Sequence, residues 1–260
     1  GIPGNFPVSA RLGESDWFVI EADEYDTAFF DKRSKFLHYR PDVLLIGNLE
    51  FDHADIFSSL EDIKKQFSHL LRSVPSNGIV VINSDELNLR DVLAQGCWSK
   101  VVEFSCQDES CEWFAQAVTE DASKFDVFQS GRLLGRVIWS LFGAHNMANA
   151  LGAIASCSQA GVNPLEACRC LSDFELPKRR LERLNSQGSI ALFDDFAHHP
   201  TAIKSTLKSI QAAAPGKRVI AVIEPRSNTM KLGSQQDLLS KALVHCDIAC
   251  LLYTSDAADE

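Results

Sequence analysis

The chain contains no long hydrophobic segment and is short of basic residues. Its apolar runs, such as Val43–Ile46, are far shorter than the roughly 20 residues that a membrane-spanning helix needs. The 25 lysine and arginine residues are outnumbered by 35 acidic residues, which gives a formal net charge of −10. Because a chain of that charge is repelled by a phosphate backbone, nucleic acid is an unexpected partner. The sequence therefore predicts neither membrane insertion nor nucleic-acid binding.

The eight cysteines form no C-x-x-C pair, and the H-E-x-x-H pattern of zinc proteases is also missing. Disulfide scaffolds are typical of short secreted chains, whereas 260 residues can bury a core without cross-links. We interpret the cysteines as reduced, apolar core residues of a cytoplasmic protein, with metal or disulfide use as the minor alternative. They are Cys97, Cys106, Cys111, Cys157, Cys168, Cys170, Cys246 and Cys250.

Short apolar runs alternate with amphipathic stretches, which is typical of an α/β fold with a mostly parallel sheet. Between residues 101 and 140, three strand-like pieces joined by short turns predict an antiparallel hairpin added to that sheet. The other predicted strands are 17–20, 43–46, 78–82, 190–193, 218–223 and 248–252. The predicted helices are 58–71, 85–93, 145–160, 164–171, 201–213 and 235–243.

A polar segment, Asp173–Arg180, contains a proline and three successive basic residues and predicts a domain boundary. We expect a central domain over 1–176, incomplete at its start, and a partial Rossmann-like α/β domain over 177–252, incomplete at its end. Because the first residue is Gly1 rather than Met, we expect a piece of a longer protein. The tail 253–260 is excluded from the fold prediction as a candidate non-native segment.

Ionisable residues follow four of the predicted strands, two in each predicted domain. In open parallel sheets, ligands bind beyond the carboxyl ends of the strands. Each cluster alone could be a solvated loop or a helix start, but four together predict an active site between the domains. Carboxylates with one imidazole and no thiolate suit Mg²⁺ or Mn²⁺ better than structural zinc. The clusters are Glu21–Asp26, Asn48–His53, Asp194–His199 and Glu224–Asn228.

Two further patterns could hold a phosphorylated ligand. His145, Asn146 and Asn149 lie within one turn at the start of a predicted helix. They could point together at a ligand, or they could form only a polar helix cap. Arg179 and Arg180 could be a solvated pair at the linker or a phosphate clamp, for which a guanidinium has the forked geometry.

These motifs, in this order, resemble the Mur ligases, ATP-dependent enzymes that add amino acids or peptides to UDP-N-acetylmuramate. The matching pieces are Glu21–Asp26, Asn48–Asp55, His145–Asn149, Arg180 and Asp194–Pro200. Three stretches favour the murein peptide ligase branch, which joins UDP-N-acetylmuramate to L-alanyl-γ-D-glutamyl-meso-diaminopimelate in peptidoglycan recycling. They are Phe29–Phe36, Glu50–Phe57 and Glu224–Lys231, and the resemblance extends to about Leu252.

The resemblance implies a metal site and catalytic residues. Glu21 and His53 would bind Mg²⁺, and Asp52 would support His53. His198 would lie near the γ-phosphate and the acyl intermediate, and Arg180 would reach the ATP phosphates across the domain gap. The implied catalytic residues are therefore Asp52, Arg180 and His198.

The resemblance also implies the residues that bind ATP and the incoming peptide. His145, Asn146 and Asn149 would receive the adenine side of ATP, with Asp195 near the ribose. The residues implied to bind substrate, chiefly through the carboxylates of the peptide, are His199, Arg226, Asn228 and Lys231.

The implied activity is amide ligation, in which ATP phosphorylates the muramoyl carboxylate and the amine then attacks the acyl phosphate. The chain lacks the G-x-x-x-x-G-K-[ST] phosphate loop of the family, and its only Gly-Lys pair, Gly216-Lys217, follows Ala-Pro. We expect that loop and the UDP-binding domain to lie upstream. Two alternatives stay open: a UDP-N-acetylmuramate–L-alanine ligase, or a nucleotide- or muropeptide-binding module without turnover.

Overall fold

The computed structural model describes residues 2, 4–185, 188–225, 228–231, 233 and 235–252. The first regular elements form a short antiparallel hairpin of β1 (Asp26–Ala28) and β2 (Asp31–Ser34), followed by a 3-10 turn, Lys35–His38. The strand predicted over 17–20 is wrong, because this segment is irregular and Val19 is 94% exposed. An apolar run becomes a strand only when a neighbour pairs with it, and no described strand does.

The central sheet has six strands whose spatial order is their order along the chain. Neighbours are parallel from the first strand to the fourth and antiparallel from the fourth to the sixth, so the predicted mostly parallel sheet with an added hairpin is confirmed. The strands are β3 (Val43–Ile46), β4 (Ile79–Asn83), β5 (Lys100–Ser105), β6 (Trp113–Ala117), β7 (Lys124–Gln129) and β8 (Arg132–Ile138).

Helices cover both faces of this sheet, which explains why Val80, Val81 and Ile82 are all buried. On one face, Val80 and Ile82 pack with α1 (Leu60–Ser73) and α2 (Leu87–Ala94). On the other face, Val81 packs with α3 (Ala144–Gln159) and α4 (Pro164–Cys170). Gly152 allows α3 to approach closely, since an added Cβ would lie 3.0 Å from side-chain atoms of Leu45 and Phe104.

The helix starts follow from local capping. The Ser59 hydroxyl accepts a hydrogen bond from the Asp62 N–H at the start of α1, within the helix range predicted from the sequence. Asn163 caps α4 through the Leu165 N–H, and Pro164 occupies the first turn, where no N–H is needed.

The second unit begins with a two-residue antiparallel pair, β9 (Glu182–Arg183) and β10 (Phe193–Asp194). The remaining elements are α5 (Pro200–Ala213), β11 (Ile220–Ile223), α6 (Asn228–Lys231), α7 (Gln236–Ala242) and β12 (Ile248–Leu251). The parallel pair of β11 and β12 with packed helices confirms an α/β unit in this part of the chain. The strand predicted over 190–193 is wrong in extent, because Ile190 is 75% exposed and the Asn185 side chain binds the Ile190 carbonyl instead of a neighbouring strand.

Two further sequence expectations can be compared with the structure. Among the described residues, no helix is both long enough and apolar enough to cross a membrane. The interpretation of the cysteines as unpaired core residues is confirmed in part. All eight are free, Cys168 is buried, and Cys97, Cys106 and Cys246 are partly buried against the hydrophobic clusters, whereas Cys157, Cys170 and Cys250 are exposed. Spacing alone does not show which face of a helix or strand a cysteine occupies.

Candidate active site between the two units

A cavity of about 920 Å³ lies between the central sheet and the second unit. It forms where the chain after β3 meets the chain after β10, as expected for ligand sites beyond the carboxyl ends of strands. The first unit contributes Tyr25, Asp52, His53 and Asp55 to its wall, and the second contributes Asp195, His198 and Thr229. The convergence of residues from both predicted domains thus agrees with an active site between them.

Three groups, from both units, contact the Asp52 carboxylate in this cavity. Its Oδ1 accepts the His53 N–H at 2.7 Å and the Thr229 hydroxyl at 2.8 Å, and its Oδ2 lies 3.5 Å from His198 Nε2. Burial opposes ionisation, but the hydrogen bonds from His198, Thr229 and the His53 N–H outweigh it and lower the pKa of Asp52 well below its usual range. Asp52 is therefore a fixed negative charge that joins the two units.

His53 is held in an unusual backbone conformation and faces a carboxylate. Its φ is +54°, in the left-handed region that non-glycine residues rarely adopt. Its Nε2 lies 2.7 Å from Glu24 Oε1, and its ring centroid lies 4.3 Å from that of Tyr25. The Glu24 hydrogen bond raises the pKa of His53, although burial opposes the shift. Strained backbone of this kind is common at functional sites, where the surroundings hold it in place.

The predicted metal ligands are only partly brought together. Glu21 is exposed, whereas Glu24, three residues later, contacts His53. Within the described ranges, no group of three or more His, Cys, Asp or Glu side chains forms a ready metal site. The donor types nevertheless fit a hard divalent cation. Asp52, His53 and Asp55 line one cavity, and Glu24 contacts the His53 ring. The assignment of Glu21 to the metal stays a prediction.

The structure shows the contacts of His198, for which a catalytic role is predicted. His198 Nδ1 lies 3.1 Å from the Phe196 carbonyl oxygen, and Nε2 faces Asp52. The Asp52 contact raises the pKa of His198 against the opposing effect of burial. A ring with both nitrogens directed at acceptors is suited to the imidazolium form, so His198 places positive charge in the cavity wall.

His199 holds the second unit against the first. Its Nε2 lies 3.2 Å from the Phe51 carbonyl oxygen, and its Nδ1 accepts the Thr201 N–H at the start of α5. Its Nδ1 also lies 3.5 Å from Glu50 Oε2, and the Thr201 hydroxyl donates to the same carboxylate. In this structure the side chain therefore caps a helix and bridges the units, and the substrate-binding role predicted for it stays a prediction.

Thr229 and Gln235 are two residues of this site that the sequence did not reveal. The Thr229 hydroxyl accepts the Ala54 N–H at 3.3 Å in addition to donating to Asp52. Gln235 Nε2 donates to the Phe51 carbonyl at 3.1 Å. Thr229 is 2% exposed and Gln235 is 5% exposed. Nothing in the sequence marked these polar residues, because their partners lie about 175 residues or more away.

The residues expected to bind the adenine of ATP begin α3, next to α5. His145 Nδ1 lies 2.9 Å from the Ser205 hydroxyl, and burial lowers the pKa of His145. Asn146 Nδ2 donates to the Phe142 carbonyl at 2.8 Å, whereas Asn149 is exposed. Gly143 has φ +102°, and a Cβ there would collide with His145 and with the Ser209 side chain. The structure thus shows His145 joining the two units, and the role of the motif toward ATP stays a prediction.

Arg179 and Leu181 of the linker line the cavity, whereas the predicted Arg180 is not among the lining residues. Arg180 is exposed, and its guanidinium carbon lies 5.9 Å from the centroid of the Phe196 ring. Asp195 accepts the Leu181 N–H and the Ala197 N–H, both at 2.8 Å, and so ties the linker to the start of α5. Arg226 lies outside the described residues, as do the side chains of Asn228 and Lys231, so the structure does not place these three side chains.

Comparison with known proteins identifies relatives of both units. Residues 8–157 match the Mur ligase middle domain, and residues 179–258 match the family described as Mur ligase, glutamate ligase domain. Over 253 residues the chain is 51% identical to UDP-N-acetylmuramate–L-alanyl-γ-D-glutamyl-meso-2,6-diaminoheptandioate ligase of Escherichia coli, covering 97% of this chain and 55% of the relative. The chain therefore spans about half the length of that curated relative.

Two other relatives extend the comparison. UDP-N-acetylmuramate–L-alanine ligase of Desulfitobacterium hafniense is 34% identical over 227 residues, which cover 86% of this chain and 48% of the relative. The crystal structure of a murein peptide ligase from Psychrobacter arcticus superposes with a TM-score of 0.66 at 42% identity, covering 93% of this chain and 51% of that one. Sequence and fold similarity therefore agree.

Proposed function

Because the chain belongs to the Mur ligase family, we propose that the protein it comes from joins UDP-N-acetylmuramate to L-alanyl-γ-D-glutamyl-meso-diaminopimelate, using ATP. The observation that carries this proposal is the cavity where Asp52 and His53 of one unit meet His198 of the other. The greater similarity to the tripeptide ligase than to the L-alanine ligase favours a peptide as the amine substrate. In the family this reaction belongs to peptidoglycan recycling.

The chemistry explains why such a cavity is needed. A carboxylate resists attack by an amine, so the γ-phosphoryl group of ATP is first transferred to the muramoyl carboxylate. The amino group of the peptide then attacks that carbonyl, the C–O bond to phosphate breaks, and inorganic phosphate leaves with the electron pair. Negative charge grows first on the phosphoryl oxygens and then on the tetrahedral oxyanion, so the surrounding residues must supply positive charge.

A bound Mg²⁺ ion would supply counter-charge to the phosphoryl oxygens. Of the residues present, His53 and a carboxylate of the segment Glu21–Glu24 would hold it, with Asp52 fixing the His53 turn. Glu24 contacts His53 in this structure, whereas Glu21 is assigned from the family pattern.

His198 is suited to act on the transferring group directly. Asp52 holds it on the cavity wall and raises its pKa, which favours the imidazolium form. A cation fixed before the reaction stabilises the developing charge without reorganisation during the step. Arg180 lies on the linker beside Phe196, a residue of the cavity wall, and would reach the phosphates of ATP, for which its guanidinium is well shaped.

The proposal is tested on the complete gene product with ATP, Mg²⁺, UDP-N-acetylmuramate and the tripeptide. We expect the ligated product by mass spectrometry, one phosphate released for each product formed, and a loss of roughly 100-fold in kcat for His198→Ala. His245→Ala is the matched control, since this histidine lies in the second unit but does not line the cavity. Absence of ligated product, or full activity of His198→Ala, would contradict the proposal.

A further inference from the structure

Thr229 connects the second unit to the turn formed by Asp52, His53 and Ala54. Its hydroxyl donates to Asp52 Oδ1 at 2.8 Å and accepts the Ala54 N–H at 3.3 Å. The residue is 2% exposed, so these contacts are made away from bulk water. A buried hydroxyl that uses both its donor and its acceptor on one turn fixes the orientation of that turn.

The turn needs such external support. His53 has φ +54°, a left-handed backbone conformation that is strained in a residue with a side chain and persists only where the surroundings hold it. Within the turn, the Asp52 carboxylate stabilises this conformation, because its Oδ1 accepts the His53 N–H. Thr229 binds the same oxygen, so it limits rotation of the carboxylate and keeps Oδ2 directed toward His198.

A second contact from the same part of the second unit supports this arrangement. Gln235, four residues beyond α6, donates to the Phe51 carbonyl at 3.1 Å. Thr229 and Gln235 therefore hold the segment Phe51–Ala54 at both of its ends. When the two units separate, the Thr229 and Gln235 contacts are lost together. The strained turn then keeps the contacts within its own unit, which are the Asp52 carboxylate on the His53 N–H, the Ile56 and Phe57 N–H groups on the His53 carbonyl, and Glu24 on the His53 ring.

We propose that Thr229 is a positioning residue, which orients Asp52 and the cation-binding imidazole of His53 only when the two units are docked. This inference rests on the proposed function, since it assigns His53 to the cation of that reaction. Docking of the second unit therefore orients the residues that bind the cation, and these residues have their binding geometry only while the two units are in contact.

The kinetic test uses three variants of the complete gene product. Thr229→Val removes both hydrogen bonds at nearly constant volume, and Thr229→Ser keeps the hydroxyl. Thr119→Val is the matched control, because Thr119 accepts the Lys124 N–H in a turn of the antiparallel hairpin and does not line the cavity. We expect Thr229→Val to lower kcat by about tenfold or more and to raise the Mg²⁺ requirement, with the KM for ATP changed by less than about twofold. Thr229→Ser should stay within about threefold of the wild type.

A binding test does not depend on turnover. Mn²⁺ titration of the complete gene product without ATP or substrates, followed by electron paramagnetic resonance, should show affinity weakened about fivefold or more in Thr229→Val and kept in Thr229→Ser and Thr119→Val. The inference would be overturned if Thr229→Val had the Mn²⁺ affinity and the kcat of the wild type. It would also be overturned if Thr229→Val and Thr229→Ser lost affinity and kcat equally, or if the wild-type protein bound no Mn²⁺. Failure of the complete wild-type protein to ligate would instead refute the proposed function, while the Mn²⁺ comparison would still decide the role of Thr229.

Discussion

Removal of the Asp52 carboxylate should loosen the contact between the two units. Asp52→Ala deletes the acceptor of the Thr229 hydroxyl at 2.8 Å and of the His53 N–H at 2.7 Å, together with the charge that faces His198 at 3.5 Å. The Thr229 and His198 contacts cross between the units, so their loss acts on docking. The His53 contact is internal to the turn and acts on its shape.

The size of the effect follows from these contacts. A buried hydroxyl left without its partner costs about 1 to 3 kcal/mol. The pair with His198 is worth only about 0.2 to 1 kcal/mol, because that imidazole is 41% exposed. Docking should therefore weaken by about 1 to 4 kcal/mol. The population of the separated state should then rise by a factor of between roughly five and several hundred.

Amide hydrogen exchange at Ala54 measures this equilibrium. The Ala54 N–H is bound by Thr229, so it exchanges only after the units separate, and its rate follows the open population. Asp126→Ala is the control, since it breaks an equally short carboxylate contact to Arg136 within the antiparallel hairpin. Ala54 exchange within about twofold of the wild type in Asp52→Ala, or an equal rise in Asp126→Ala, would refute the reasoning.

Three further predictions concern the same cavity. In the complete gene product, Glu21→Ala and His53→Ala should each lower kcat by roughly 100-fold, and full activity of either at ordinary Mg²⁺ would exclude that ligand. His145→Ala should raise the KM for ATP by about tenfold, with the KM for the tripeptide changed by less than about twofold, and equal changes in the two constants would remove the adenine assignment. The pKa of His198 is raised from 6.5 in the folded state, so its contribution to docking is complete below pH 6.5 and is lost as the pH rises through the folded pKa. The pKa of Asp52 is lowered from 3.8, so its contribution to docking is complete above pH 3.8 and is lost only in stronger acid. The protection of the Ala54 amide, corrected for intrinsic exchange, should therefore fall from pH 6 to pH 9 as His198 loses its proton. A protection factor that does not change with pH would contradict this role of His198.

Most elements of the fold followed from periodicity and local capping. The α1 cap at Ser59, the proline at the start of α4 and the apolar β4 all depend on neighbours within a few residues, which the sequence displays directly. The strands predicted over 17–20 and 190–193 failed because pairing depends on a partner distant in the chain. An apolar run shows that a segment could be buried, but it does not show that a neighbouring edge is present.

The candidate site was predicted in outline and missed in detail. The rule for strand ends predicted that Asp52, His53 and His198 meet, because it depends only on sheet topology. It did not distinguish Glu24 from Glu21, since irregular backbone has no period from which the facing side chain can be inferred. Thr229 lies within the matching stretch Glu224–Lys231 but was given no role, and Gln235 was not singled out, because a buried polar contact between distant segments arises from docking of the units.

The most direct test of the proposed activity is a competition between two amine substrates. The complete gene product would receive ATP, Mg²⁺ and UDP-N-acetylmuramate with equal concentrations of L-alanyl-γ-D-glutamyl-meso-diaminopimelate and L-alanine, and both products would be quantified by mass spectrometry. We expect the tripeptide product to form at least about tenfold faster than the alanine product. A dominant alanine product, or the absence of both products, would contradict the assignment.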